Sequence, residues 1–348
     1  MRRRDGDMRF LPRTGLTFRR FSPILFLKNS KKGGENMDSF CLDIPWKLIE
    51  PEEPSGSDMV DVSRVTRKWL NVAYAAQSPS QVLDIYLPEE GDGPFPTYIF
   101  IHGGAFIAGD KQDVQFLLAA DGINRGYAVV SLEYRKGFES KAPNALHDVK
   151  SAIRFLKARA SEYRLDPRRF AIGGDSAGAY YAVFAAATPG IPAFAGPDPV
   201  FPNAREDVKA VVAQCGCYDL LLLAPPPEEE AKAPKEFVPG TIPANLMSVY
   251  LGANPHLFPD IAALLNPLAH IAKGFPPALV QVGRQDAIVP CSESEKLADT
   301  IRRRCGEDAV TFQIFDGWNH CALNHIVTRD WFMKANLDRV FGFLDRVM

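Results

Sequence analysis

The sequence predicts an α/β fold with a mostly parallel central sheet, helices on both faces and a small cap insertion. Short apolar runs alternate with longer segments of helical periodicity, which is the pattern of parallel strands joined by helices. Two of the apolar runs lead directly into glycine-rich turns, at 102–104 and 174–178. Hydrophobic residues make up 46% of the 348 residues, which is sufficient for an ordinary globular core.

The strands are predicted from apolar or alternating runs that end at glycine, proline or polar residues. In chain order these runs are 82–87, 97–101, 128–132, 170–174, 208–215, 278–283 and 310–315. Three segments are predicted to be helical: 143–163, 177–187 and 331–347. In the first of them apolar residues recur every three or four positions, as on the buried face of a helix.

We interpret residues 41–348 as a single domain. The stretch 218–267 contains APPPEEEAKAP, which no regular core element accommodates, so we expect an insertion there. Together with residues 55–75 it is predicted to form a cap above the sheet edge, where lids are common. Residues 1–40 are predicted to be disordered or an extended N-terminal segment. In the second case we expect them to be an upstream extension of a chain whose natural start is Met8 or Met37. A basic targeting segment is the alternative.

Charge and composition argue against several classes of binding partner for this protein. The net charge of −2 has no basic excess that would bind nucleic acid, and no run approaches the roughly 20 apolar residues of a membrane span. The six cysteines are scattered without metal-ligand spacing, so we expect no metal and no cofactor. Strand alternation would place Cys215 and Cys217 on one side as buried free thiols. A reducing, cytoplasmic location fits best, and a homodimer is left open.

The turn at 174–178 reads GDSAG and matches the G-x-S-x-G pattern of a serine nucleophile. An apolar strand precedes it and a helix of small residues follows, which is the context that the pattern requires. We expect Ser176 on a strained turn, with Gly174 and Gly178 avoiding clashes with the neighbouring strand and helix. The following helix would then direct its N-terminus at the developing oxyanion.

A second turn, HGGAF at 102–106, follows the strand 97–101 directly. Glycines allow the backbone to approach an acyl carbonyl, so that N–H groups stabilise a tetrahedral intermediate. We assign this oxyanion hole to the N–H groups of Gly103, Gly104 and Ala177. The alternative is a plain turn, but the two strands and the helix between this turn and the serine favour the catalytic interpretation.

A serine nucleophile needs a base, and the base needs an acid to orient it. Among six histidines, His320 fits best because it lies in a loop that leaves the strand 310–315. We expect it to titrate near the ordinary imidazole pKa. His325 follows shortly after it and is the alternative. The other histidines fall in the HGG turn, in a helix, or in or beside the insertion: His102, His147, His256 and His270.

Asp286 is the preferred acid because it lies in a loop just past the strand 278–283. Catalytic groups gather at the carboxyl ends of strands in open α/β sheets. The chain order serine, acid, histidine then results, which is the order of this type of fold. Asp219, one strand earlier, and Asp316, beside the histidine loop, are the alternatives.

Together these motifs resemble the α/β-hydrolase superfamily, specifically the hormone-sensitive-lipase-like carboxylesterases and the bacterial acetyl-xylan and feruloyl esterase-like hydrolases. The matching segments are LDIYLP, HGGAF, EYR, AL-DV, DP-R, GGDSAG, G-QDAIVP and GWNH, from about residue 82 to the C-terminus. The resemblance implies a cofactor-free esterase with a triad of Ser176, Asp286 and His320. Two departures stand out: Ala105 replaces the third glycine of HGGG, and the histidine loop reads GWNHCALN, where a glycine or phenylalanine next to the histidine is more usual.

The sequence therefore predicts a serine carboxylesterase that hydrolyses small, short-acyl esters through an acyl-enzyme. An amidase or formamidase with the same triad is the alternative, because the similar kynurenine formamidases also carry HGG and G-x-SAG motifs. A non-catalytic ligand receptor on this fold would require a lost triad member, and none is missing. The short-acyl expectation rests on the insertion, which is rich in proline and glutamate and lacks the apolar face of a lipid-binding lid.

Overall fold

The central element of the fold is an eight-stranded sheet. The structure, a computed structural model, describes residues 60–196, 200–232, 244–323, 326–327 and 329–348. The strands of the sheet are β1 (Lys68–Ala73), β2 (Val82–Tyr86), β3 (Phe95–Ile101), β4 (Ala128–Leu132), β5 (Leu165–Asp175), β6 (Ala210–Gln214), β7 (Ala278–Gly283) and β8 (Val310–Phe315). Their spatial order is β1-β2-β4-β3-β5-β6-β7-β8.

Six of these strands, β3 to β8, are mutually parallel, and β2 pairs antiparallel with both of its neighbours. Every residue of β4, β6 and β7 is buried, and these strands read as nearly continuous apolar runs. Such runs are expected where helices cover both faces of a parallel sheet. The carboxyl ends of the six parallel strands therefore meet at one edge, where the candidate site lies.

Helices cover both faces of the sheet. They are α1 (Leu117–Ala120), α2 (Asn144–Ala158), α3 (Ala177–Ala187), α4 (Pro227–Glu230), α5 (Leu246–Leu251), α6 (Pro259–Leu264), α7 (Cys291–Cys305) and α8 (Lys334–Val347). Along β3, Ile99 and Ile101 pack into the cluster that holds α2, α3 and α7. The alternate residues Tyr98 and Phe100 pack into the cluster that holds α1 and α8. None of the helices in the described ranges combines the length and apolarity needed to cross a membrane.

All the predicted strands and the three predicted helices are present, with shifts at their ends. The strand β1 was not predicted, and it corrects the expectation that residues 55–75 belong to a cap. Residues 68–73 instead extend the sheet, pairing with β2 through a register shift between Trp69 and Val72. Most of the side chains of this strand are exposed, so its sequence has no continuous apolar run of the kind that predicted the other strands. Residues 1–40 lie outside the described part of the chain.

The insertion 218–267 contributes α4, α5 and α6, with residues 233–243 outside the described part. It contacts the site region through two aromatic residues. The ring of Tyr250 on α5 stacks on Phe106 at 4.4 Å, and the Tyr180 hydroxyl of α3 donates to the Leu265 carbonyl at 2.6 Å. The insertion was expected to lack the long apolar face of a lipid-binding lid, but it does expose some apolar side chains. At least half of the surface of four of its side chains is exposed: Leu257, Phe258, Ile261 and Leu264.

Candidate active site

Ser176 lies on the turn between β5 and α3 and has a strained backbone, with φ 53° and ψ −120°. Its amide donates to the Gln214 carbonyl at 2.9 Å. A Cβ on Gly174 would lie 2.3 Å from the Ile101 carbonyl oxygen, and one on Gly178 would lie 2.0 Å from it. Only glycine fits at such distances, so the predicted reason for both glycines is confirmed. The elbow, residues 173–178, is therefore held by the close approach of β3.

Asp286 and His320 form a buried hydrogen-bonded pair. The His320 Nδ1 lies 2.8 Å from the Asp286 Oδ2, and only 5% of the histidine surface is exposed. The other carboxylate oxygen, Oδ1, accepts from the amides of Ile288 and Val289 at 2.9 and 2.8 Å. Both oxygens of the Asp286 carboxylate are thus held by hydrogen bonds. This arrangement orients the imidazole with its Nδ1 towards the carboxylate, so that Nε2 is the nitrogen that accepts a proton.

The alternative acids make other contacts in the structure. The Asp219 carboxylate accepts from the Leu221 amide at 3.0 Å and thereby closes a local turn. Asp316 pairs with Arg284 at 2.5 Å on the surface.

Among the alternative bases, His325 lies outside the described residues. His102 is buried against Glu133, and His147 lies on α2. His256 and His270 contact the carbonyls of Ala224 and Leu264.

The loop at 316–321, here the histidine loop, is tied to the Asp286 loop by contacts that the sequence interpretation missed. The Asn319 Oδ1 accepts from the amides of Ala287 and His320 at 3.0 and 2.7 Å. The Trp331 indole N–H donates to the Asn319 carbonyl at 2.9 Å. Asn319 therefore joins the two loops that carry the acid and the base. The unusual residues beside the histidine were noted in the sequence, but no contact was predicted from them.

The oxyanion assignment needs one correction. The Gly103 amide already donates to the Gln115 Oε1 at 2.7 Å and to the Asp175 Oδ1 at 3.1 Å, so it is not free to bind an oxyanion. These two acceptors lie far from Gly103 in sequence, so spacing alone did not indicate them. Within the described residues, no hydrogen bond is found for the amides of Gly104 and Ala177. These two amides remain as candidate donors.

Gly104 and Ala105 both adopt positive φ angles in the turn after β3. At Gly104 φ is 121°, and a Cβ there would lie 2.1 Å from the Ala108 carbonyl oxygen. At Ala105 φ is 53°, in the left-handed region that alanine adopts less readily than glycine. The departure from HGGG noted in the sequence is thus accommodated with local backbone strain.

Cys215 lies between the elbow and the histidine loop. Its sulfur lies within 4.8 Å of ligating atoms of Asp286 and His320, and also of Asp175 and Cys321. The expectation that Cys215 and Cys217 share one environment is wrong, because β6 ends at Gln214 and Cys215 has φ 42°. The Cys217 sulfur instead approaches the Asp219 carbonyl and Glu293. Although the cysteines lack metal-ligand spacing in the sequence, the fold thus brings Cys215 into two groups of side chains that could hold a metal ion.

This neighbourhood sets the ionisation of the site. Burial lowers the pKa of His320, but the Cys215 and Asp286 charges, with their hydrogen bonds, raise it well above its ordinary value of 6.5. Burial raises the pKa of Cys215, whereas hydrogen bonds from Cys321 and His320 and the His320 charge lower it to about 6. Burial also raises the pKa of Asp175 well above its ordinary 3.8. The imidazole is therefore stabilised in its protonated form.

A strained serine at a strand-to-helix turn and a buried Asp–His pair at the same sheet edge define the serine-hydrolase class of α/β-hydrolase folds. Comparison with known proteins specifies the family. The model of the family described as BD-FAE matches residues 83–301, more than half of the chain, and the chain belongs to this family.

Two curated relatives come from Mycobacterium tuberculosis. The chain is 31% identical to the "Probable carboxylic ester hydrolase LipM" over 67% of its own length and 51% of the relative. It is 28% identical to the "Esterase LipQ" over 67% of its own length and 52% of the relative. The chain thus spans about half the length of the curated relatives it matches.

A solved structure described as "Truncated form of carbohydrate esterase from gut microbiota" superposes with a TM-score of 0.68 and 25% identity. The match covers 82% of this chain and 98% of that one. An esterase from Thermogutta terrifontis, solved with propionate bound, superposes with a TM-score of 0.61 at 20% identity, covering 81% and 95% of the two chains. These likenesses support the α/β-hydrolase fold.

Proposed function

We propose that this protein is a serine carboxylesterase that hydrolyses small, short-acyl esters through an acyl-enzyme. The observation that carries the proposal is the buried Asp286–His320 hydrogen bond of 2.8 Å at the sheet edge that also presents the strained Ser176. The names of the curated relatives, which are ester hydrolases, support the same reaction class.

In the proposed mechanism the Ser176 hydroxyl oxygen attacks the acyl carbon, and the His320 Nε2 takes the hydroxyl proton. Asp286 accepts from Nδ1–H and stabilises the imidazolium that forms. The alkoxide of the substrate leaves with the proton from His320, which yields the free alcohol and an acyl-Ser176 ester. Water then attacks this ester with the same proton transfers, releasing the carboxylic acid and restoring the serine.

The developing oxyanion is bound by the Gly104 and Ala177 amides in this proposal. Ala177 is the first residue of α3, so its N–H is among those that no carbonyl of the helix satisfies. The N-terminal end of the helix dipole adds a favourable field for negative charge. Two fixed donors in a site shielded from water account for a large part of the rate enhancement in such enzymes.

The short-acyl preference is supported by packing beside the oxyanion turn. Phe106 contacts Tyr180, Tyr181 and Tyr250 with ring centroids 4.4–5.7 Å apart, and all four rings are buried. We infer that these aromatic side chains limit the space available to an acyl chain beside the turn. Each methylene that finds no pocket forgoes about 0.8 kcal/mol of burial.

The exposed apolar side chains on α6 call for a test of lipase behaviour. We expect kcat/KM to be highest for the acetyl or butyryl ester in a series of acetyl, butyryl, octanoyl and palmitoyl p-nitrophenyl esters. A maximum at octanoyl or beyond, or a jump in rate above the critical micelle concentration, would show a lipase instead. An aryl formamide assayed in parallel tests amide hydrolysis, and faster turnover of it than of the esters would favour the formamidase alternative.

The nucleophile is tested by labelling with a fluorophosphonate probe. The wild-type protein is expected to be labelled at Ser176, and Ser176→Ala is expected to lose the label and on the order of a thousandfold or more in turnover. Ser161→Ala, at an exposed serine, is the matched control and should retain both. Labelling that persists in Ser176→Ala would place the nucleophile elsewhere.

We further propose a cytoplasmic enzyme that needs no metal or organic cofactor. Five cysteines in the described ranges are free thiols, which is consistent with a reducing compartment. Turnover should survive excess chelator, and a loss that a divalent ion restores would contradict the proposal.

A further inference from the structure

The buried cluster around Cys215 contains groups that the proposed ester hydrolysis does not use. The Cys215 sulfur, a ring nitrogen of His320 and a carboxylate oxygen of Asp286 lie within 4.8 Å of one another. The same sulfur also forms a second group of this kind with Asp175 and Cys321. The Cys215 thiol thus lies between the Asp286–His320 pair and the Cys321 thiol.

We propose that Cys215, His320 and Asp286 form a binding site for a soft divalent cation such as Zn²⁺, and that its occupation inhibits the enzyme. Thiolate sulfur, imidazole nitrogen and carboxylate oxygen are the donors that zinc takes in proteins. With bonds of 2.0–2.3 Å, the ligand atoms of a tetrahedral site lie about 3.3–3.8 Å apart. The Asp286 oxygen and His320 Nδ1, now 2.8 Å apart in a hydrogen bond, therefore separate slightly around the ion, and the Cys215 sulfur comes within about 3.8 Å of both. Water takes the fourth position.

The donor set favours this group over the second one. Both groups are buried, since Cys215 belongs to each of them and the His320 and Asp286 side chains are only 4% and 0% exposed. The first group offers sulfur, nitrogen and oxygen donors, and imidazole is among the ligands that zinc takes most often. The elbow residue Ser176 is partly exposed, so in this proposal a cation enters beside it, from the site where the substrate is proposed to bind.

Occupation of the site is inhibitory because both ring nitrogens of His320 have a catalytic task. Nδ1 is hydrogen-bonded to Asp286, and Nε2 transfers the proton in the proposed mechanism. A cation on either nitrogen removes one of these tasks. The inhibitory part of the inference rests on the proposed function, whereas the binding part does not. It also sharpens the expectation for chelators, which should preserve activity or raise it by removing trace metal.

Binding is tested on the Ser176→Ala protein, which is inactive under the proposed function, with a phosphine reductant to keep the thiols free. Calorimetric titration with Zn²⁺ is expected to show one ion per chain. Adding Cys215→Ala should weaken binding by more than the 10–100-fold that loss of an outer-sphere partner costs. Cys215→Ser serves as the isosteric variant if the alanine protein does not fold. Cys217→Ala is the matched control and should leave the affinity unchanged.

A cobalt spectrum reads the ligands directly. Titration with Co²⁺ is expected to give a thiolate-to-metal charge-transfer band that Cys215→Ala abolishes and Cys321→Ala keeps. No binding of Zn²⁺, or binding that needs Cys321 but survives His320→Ala, would overturn the proposed site. In the second case the ion would lie in the group that contains Asp175.

Inhibition is tested separately on enzyme with an intact Ser176. Hydrolysis of p-nitrophenyl acetate is measured against Zn²⁺ concentration and divided by the zinc-free rate of the same protein. The wild-type enzyme should be inhibited and then restored by chelator, whereas Cys215→Ala should need at least tenfold more Zn²⁺. Tight binding without inhibition would contradict the inhibitory role. Absence of any esterase activity would contradict the proposed function and leave the binding result valid.

Discussion

The elbow and the histidine loop meet at the same edge of the sheet, and both pack closely on backbone, but side-chain hydrogen bonds tie the histidine loop as well. In the elbow, the β3 carbonyl of Ile101 occupies the space where side chains on Gly174 and Gly178 would lie. The histidine loop lies as close to Gly283, where a Cβ would be 2.3 Å from the Trp318 carbonyl oxygen. It is joined to the Asp286 loop in addition by hydrogen bonds of side chains, among them those that the Asn319 Oδ1 accepts from the amides of Ala287 and His320.

Because of this difference, we expect substitutions in the elbow to change mainly the stability of the protein and substitutions in the histidine loop to change mainly its turnover. A substitution in the elbow forces neighbouring backbone apart and should reduce the free energy of unfolding. A substitution in the histidine loop removes one or two hydrogen bonds, each worth about 1 kcal/mol to stability, but displaces groups whose position the reaction depends on. The following predictions test whether the two regions differ in this way, from the largest expected effect to the smallest.

Replacing Asp286 with asparagine should have the largest effect. The amide cannot hold the imidazole in the tautomer that leaves Nε2 unprotonated, so kcat should fall by about 10⁴, or ~5.5 kcal/mol. Steady-state kinetics with a short-acyl ester, together with a thermal melt, check that turnover and not folding is lost. Asp219→Asn is the control and should be mild, since that side chain caps a local turn. Reversed effects would place the acid one strand earlier.

Gly178→Ala should act mainly on stability. The added Cβ would lie 2.0 Å from the Ile101 carbonyl oxygen, and backbone cannot move aside as a side chain can. We expect a loss of about 2–4 kcal/mol in the free energy of unfolding, measured by chemical denaturation. Gly342→Ala in α8 is the matched control, because a Cβ there meets nothing within 4 Å and alanine favours helix. Equal losses in both variants would contradict the role of β3.

The sequence predicted those parts of the site that depend on local patterns. Ser176, Asp286 and His320 each follow a strand that an apolar run indicates, and the structure places the last two in hydrogen-bond contact. The engaged Gly103 amide could not be predicted, because its partners come from distant segments. The same holds for Cys215, whose contacts depend on which strands become neighbours in the sheet.

In the fold, the parallel strands were predicted because they are buried on both faces and therefore apolar throughout. The edge strand β1 was missed because it is mostly exposed, and its pairing with β2 is what makes it a strand. The apolar face of α6 in the insertion was missed because prolines and glutamates dominate the start of that stretch.

Asn319→Ala tests the histidine loop directly. Without the side-chain oxygen, the amides of Ala287 and His320 lose their acceptor, so the base and acid are held less precisely. We expect kcat to fall by about 10–100-fold, with KM nearly unchanged and about 1–2 kcal/mol lost in unfolding free energy. Asn319→Asp keeps acceptor oxygens and should recover most of kcat above the histidine's inflection pH. A fall in stability as large as that of Gly178→Ala would erase the contrast between the two regions.

The smallest expected effect is on the pH profile, and it reports how the two regions interact through Cys215. His320 must be neutral to act as a base, and its pKa is raised above the ordinary value of 6.5. The protonated, inactive form therefore persists to higher pH, and kcat/KM should rise with pH through an inflection above 6.5. The expectation of an ordinary imidazole pKa from the sequence is thus corrected upward, with Cys215 and Asp286 as the cause.

Two groups facing the imidazole carry the negative charge that raises its pKa, Asp286 from the loop after β7 and Cys215 after β6. Burial raises the pKa of Asp175 on β5 well above its ordinary value of 3.8, which disfavours the charged form of that carboxyl. Removing the thiol in Cys215→Ala should therefore lower the pH of the kcat/KM inflection. Cys217→Ala, whose sulfur faces Glu293 instead, should leave it in place. The profiles are recorded in chelated buffer, so that no metal masks the titration. An inflection that stays at the same pH in Cys215→Ala would mean that Asp286 alone raises the pKa of His320. The Cys215 side of the site would then have no electrostatic effect on the histidine loop.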